Sequence, residues 1–184
     1  MLWSGDLDGA HDQLTTSLEI AREIGNLLLQ DQCLAYLAIL YRLRGDRTLL
    51  HKLLPQTREI AQIVNYPAYI GVYQAKLAWL DYLDRDWTAA HKRSLKALSE
   101  WGDSSYPFKW LAYWILLAIN LDRDMLEEAV ESARAMLDPI QQCLPDEVTA
   151  VLEQCLHHWE DRDLDSTRKM LKRAVELAKQ WGYL

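Results

Sequence analysis

Three histidines, His11, His51 and His91, recur at intervals of 40 residues. Such a column suggests a metal site, because neutral imidazole is a strong ligand for zinc and copper. Distance argues against it. Packed helices lie ~8–10 Å apart, whereas zinc holds each ligand at ~2 Å. Equivalent positions of successive repeats therefore cannot share one ion, and the histidines read as a repeated, partly exposed surface position. The stretch CLHHWED (155–161) places His157 and Asp161 four residues apart, on one helix face. Two ligands make a weak site, so the expectation is a solvated histidine pair with no metal and no cofactor. Cys33, Cys143 and Cys155 form no C-x-x-C pair. They read as buried, inert thiols in a reducing, cytoplasmic setting.

Other chemistry is missing from the pattern. The seven glycines are too sparse for a phosphate-cradling loop, and neither H-E-x-x-H nor G-x-S-x-G occurs. The expectation is a non-enzyme without catalytic residues. Net charge is −7, from 20 basic and 27 acidic residues that are interspersed. Without a basic stripe, nucleic-acid binding is not expected. The longest uncharged apolar run, WLAYWILLAINL (110–121), has twelve residues, too few to span a bilayer. The first residues, MLWSGDLDGAHD, do not read as a signal peptide, so none is expected.

The positioning elements come from a repeat. Arg44-Gly45-Asp46 resembles a cell-attachment signal in isolation. It belongs with Gly5-Asp6, Arg85-Asp86, Arg123-Asp124 and Arg162-Asp163, whose aspartates are 38 to 40 residues apart. Asp is a preferred N-cap, because its carboxylate accepts from free N–H groups of the next turn. Each aspartate therefore opens a helix, and Glu127 makes a capping-box approximation after Asp124. Helices starting at these turns end near Gly25, Asn65, Gly102 and Gly182, residues that tolerate a left-handed C-cap. Second helices fill roughly 27–44, 67–84, 107–121 and 145–161, three of them near a leading proline. Pro139 ends or kinks the helix that follows Asp124. No segment reads as a strand.

Leu34, Leu37, Ala38, Tyr41, Gly45 and Asp46 are spaced as in the first helix and turn of the tetratricopeptide repeat, and nearly the whole chain resembles such an array. The resemblance implies an all-α, right-handed superhelical solenoid of antiparallel helix pairs, about nine helices in one domain over residues 1–184. The period here is 38–40 rather than 34. That longer variety is similar to repeat regions of bacterial signalling ATPases and transcriptional regulators.

In that family, first helices line a concave groove. The resemblance carries this over to Gln32, Ala35, Ile39 and Arg42, then to Val72, Ala75, Trp79 and Tyr82. Next come Trp110, Tyr113, Trp114 and Leu117, and finally Leu152, Leu156 and Trp159. Trp and Tyr supply large contact areas at binding hot spots. Trp110 and Trp114 also share a stripe with Leu117 and Leu121, which fits core packing equally. Arg42, the one basic groove residue, either holds a carboxylate or stands in solvent. The implied function is an interaction scaffold binding a protein or peptide. The alternative is a ligand-sensing or autoregulatory segment of a larger regulator. Arrays need capping repeats, and neither end here provides one. The chain is therefore expected to be part of a longer protein, or to self-associate through open ends that expose Leu7 and Leu14.

Overall fold

A computed structural model describes residues 6–184. Among the described residues the protein is all-α, with nine helices and no strand. They are α1 (Leu7–Glu23), α2 (Leu27–Leu43), α3 (Arg47–Val64), α4 (Pro67–Leu83), α5 (Trp87–Trp101), α6 (Trp110–Asp122), α7 (Leu126–Met136), α8 (Asp146–Glu160) and α9 (Leu164–Gln180). Every helix packs against the next, as a helical solenoid requires. None is long and apolar enough to cross a membrane.

Local chemistry sets the boundaries. Backbone N–H groups donate to the capping carboxylates: Gly9 to Asp6 at 2.9 Å, Leu49 to Asp46 at 2.9 Å, Ala89 to Asp86 at 3.0 Å and Ser166 to Asp163 at 3.0 Å. The residue before three of these caps is left-handed: Gly45, Arg85 and Arg162. In the Arg44-Gly45-Asp46 turn, Arg44 pairs with Asp8 and Asp46 caps α3, so the tripeptide is used by the turn itself. Gly5 lies outside the described residues. The expected C-cap residues Gly25, Asn65, Gly102 and Gly182 all have positive φ. α7 stops before Pro139, as expected.

The fourth turn corrects the expectation. Asp124 does not cap α7; it takes the left-handed position itself, and Met125 becomes an N-cap without a side-chain bond. α6 runs one residue further into its Arg-Asp motif than α4 or α8 does. The freed Asp124 carboxylate accepts Arg168 of α9 at 2.6 Å. The two aspartates should therefore respond differently to removal. Asp46→Ala should cost about 1 kcal/mol, whereas Asp124→Ala, losing an exposed ion pair, should cost ~0–1 kcal/mol. Chemical denaturation of the two variants side by side checks this.

α2, α4 and α6 touch in sequence and form an inner row, with α1, α3, α5 and α7 outside. The fifth pair does not continue the pattern. α9, not α8, lies against α6, and among the described helices α8 touches only α7 and α9. The cause is the non-helical stretch 137–145, which crosses back over the start of α6. There the Gln142 N–H donates to the Pro107 carbonyl at 3.0 Å, and Gln141 Nε2 donates to the Tyr106 carbonyl at 3.1 Å. Trp110 Nε1 donates to Gln142 Oε1 at 3.3 Å. On α1, Leu7 and Leu14 are half-buried, and the exposed apolar residues are Ile20 and Ile24 instead.

Candidate functional site

The inner row converges on Arg42, near the end of α2 and 1 % exposed. Its Nη1 donates to the Leu111 carbonyl of α6 at 2.7 Å. Its Nε and Nη2 both donate to the Tyr183 carbonyl, at 3.2 and 2.6 Å. The guanidinium carbon stands 5.5 Å from the Trp110 ring centroid, in cation–π range. Burial pushes the group down to about 9, so it stays charged at neutral pH. Among the described residues no carboxylate pairs with it. Arg42 is thus neither solvated nor bound to an acid; it reads main-chain oxygens.

The peptide it reads is the chain's own segment Gly182–Leu184, just past α9. Tyr183 and Leu184 are both buried. The Tyr183 ring meets Trp110 edge-on at 4.9 Å and stacks on Trp114 at 6.0 Å. Burial pushes its phenol up to about 12. Gly182 makes this approach possible. A Cβ there would stand 2.2 Å from the Leu43 carbonyl oxygen of α2, and its φ of +74° also disfavours a side chain.

Toward the other end of α2, Gln32, Ala35, Tyr36 and Ile39 face a pocket of about 160 Å³. Tyr66, Tyr69, Tyr106 and Phe108 complete its walls. The last two come from the 102–109 loop, which folds inward because Tyr106 stacks on Trp101 at 5.0 Å and Phe108 meets Tyr36 edge-on at 5.8 Å. Trp101 is itself anchored by donating to the Ala68 carbonyl at 2.9 Å, over Gly71, where a Cβ would overlap the indole.

Between α2 and α4 two charges are buried. Asp31 is wholly buried, and neither carboxylate oxygen has a hydrogen-bond partner among the described residues. Lys76, 2 % exposed, donates among the described residues only to the Leu34 carbonyl, at 3.3 Å. Burial raises Asp31 to about 6 against the opposing pull of Lys76. Burial likewise lowers Lys76 to about 7, and Asp31 opposes that shift. Burial first, then the Asp31 charge, raises the Tyr69 phenol.

Of the other groove candidates, Trp110 and Trp114 join Arg42 around Tyr183, Ile39 lines the α2 pocket, and the rest are dispersed. Ile39, Trp79, Trp110 and Trp114 are buried, and the Trp79 and Trp114 indole N–H groups find no acceptor among the described residues. Tyr113 is half-buried. Tyr82 lines a separate hollow of about 580 Å³ with Trp87 and Lys172. Leu156 and Trp159 sit on α8, away from the inner row, and Trp159 lines another hollow with Arg134 and Leu164.

His11 and His91 are half-buried and His51 is exposed. Among the described residues no group of three or more His, Cys, Asp or Glu could hold a metal ion. His157 Nε2 lies 3.4 Å from Asp161, and both are open to solvent. Cys33 and Cys155 are buried as expected, but Cys143 is exposed, because it falls in the crossing stretch rather than on a helix.

The sequence reading missed Gly182–Leu184, Asp31 and Lys76. Their signals were an aromatic–aliphatic pair directly after a helix-ending glycine, and lone charges set in the apolar runs LLLQDQCL and VYQAKLAW. The fold is compatible with a helical repeat, and its inner row holds the chain's own segment Gly182–Leu184. No protein family, curated protein or solved structure matches this chain.

Proposed function

We propose that this protein is a non-enzymatic interaction module of the tetratricopeptide-repeat kind, whose inner row binds a peptide or protein segment. The observation that carries this reading is Arg42. A buried guanidinium donating twice to the Tyr183 carbonyl, beside an aromatic slot for the same residue's side chain, supports a site suited to peptide backbone. Binding would work by burying aromatic surface on a preformed scaffold, with no covalent step. The adjacent pocket under Tyr36 and Phe108 supplies unfilled aromatic surface of the same type.

Selection of a displayed random-peptide library on the folded protein tests this. The expected result is enrichment of a shared short motif whose binding falls at least tenfold in a Tyr36→Ala variant that remains folded. Failure to enrich any motif, or enrichment of peptides indifferent to inner-row substitutions, would count against the reading.

A further inference from the structure

We infer that Gly182–Leu184 is a displaceable occupant of the peptide site, and that the partner it holds off is a peptide carrying tyrosine followed by an aliphatic residue. This rests on the interaction-module reading and adds the partner's chemistry and its regulation.

Three observations carry it. First, recognition is of a kind that a second peptide can reproduce. Arg42 binds the Tyr183 carbonyl rather than a side chain, and Trp110 and Trp114 accept the ring. Second, the segment can leave while the body of α9 stays packed. The Gly182, Tyr183 and Leu184 N–H groups cap α9 by donating to the Lys179 and Ala178 carbonyls, but the body of the helix is held through buried Leu171, Ala174 and Leu177 on α6, α7 and α8. Third, the segment does not reach a pocket further along α2. Gln32, Ala35, Ile39 and Arg42 lie on one stripe of α2, and the pocket at the Gln32–Ile39 end is open. At ~1.5 Å per residue along the helix, that pocket is roughly 10 Å from Arg42. An extended peptide covers that distance in about three residues. A partner with a second apolar side chain about three residues from its tyrosine fills both subsites. It then gains contacts the resident segment does not make.

Competition sets the arithmetic: apparent affinity falls by the fraction of molecules in which the site is free. The probe is a labelled heptapeptide with the sequence of residues 178–184, AKQWGYL. Binding is measured to the wild type, to Gly182→Ala, whose new Cβ collides with the α2 backbone, and to Tyr183→Ala. Both variants should bind at least tenfold more tightly than the wild type. Adding Arg42→Gln to Tyr183→Ala should remove that gain, and a probe with its tyrosine replaced by alanine should not bind. In the wild type, saturating peptide should lower amide-exchange protection of residues 182–184.

Folded variants that bind no better than the wild type would overturn the inference. If both variants fail to fold, unchanged protection in the wild type overturns it. A concentration-dependent dimer that exchanges the segment between copies would do the same, making a second copy the occupant. Library peptides that bind at the Tyr36 pocket without disturbing residues 182–184 would leave the module reading intact and sink the displaceable segment alone.

Discussion

Trp114→Ala should cost about 3–5 kcal/mol, the range for removing a fully buried large aromatic. The indole is wholly buried on α6 and stacks on Tyr183, so truncation opens a cavity at the junction of α6 and the 182–184 segment. In a chain of this size that should lower the melting temperature by roughly 10 °C or more. Conservative replacements sharpen the test. The Trp114 N–H has no acceptor among the described residues, so Trp114→Phe loses volume but no hydrogen bond. Trp110→Phe loses the bond to Gln142 as well, a difference of ~1 kcal/mol. Melting curves for the three variants check the order. A Trp114→Ala protein as stable as the wild type would mean that the α6 junction is not a packed centre.

Removing both buried charges, Asp31→Ala with Lys76→Met, should instead stabilise the protein at neutral pH, by ~1–4 kcal/mol. Among the described residues neither charge has the close partner that would offset desolvation: the carboxylate accepts no hydrogen bond, and the ammonium donates to a single carbonyl. The effect should depend on pH with a defined sign. Asp31 is raised to about 6, so its folded form resists ionisation. Its stabilising share is complete below the unfolded value near 3.8 and is lost as pH rises through 6. Lys76 is lowered to about 7. Its share is complete above the unfolded value near 10.5 and is lost as pH falls through 7. Wild type should therefore trail the double variant most between about pH 6 and 7, and approach it toward pH 4 and pH 10. Denaturant titrations across that range measure the gap. A gap independent of pH would show that the charges do not cause it.

Features that depend on a few neighbouring residues were legible in the sequence. Asp46, Asp86 and Asp163 cap because the N–H groups they accept are three residues away. Gly25, Asn65, Gly102 and Gly182 end helices because their backbones turn left-handed there. Asp124 shows the limit of such reasoning. Its motif matches its counterparts, yet one additional residue of α6 changes its role from cap to ion-pair partner. The exchange of α8 for α9 beside α6 depends on how residues 137–145 cross to Tyr106 and Pro107, and no periodicity encodes that. Arg42 was picked out as a groove residue from the family resemblance. Its partners lie 69 and 141 residues away in the chain, so the resemblance could not show that they are carbonyls.

That longest separation bears on how the protein folds. A stack of helix pairs makes mostly local contacts, so its parts can form and fray almost independently, and it folds fast. A bond from Arg42 to Tyr183 closes a loop of most of the described residues, and forms only after the intervening helices have curved into place. It belongs late in folding and early in unfolding. Breaking it should leave the folding rate nearly unchanged and speed unfolding. The same contact ties α2 to the cap of α9, so fraying at the end of either helix is felt by the other.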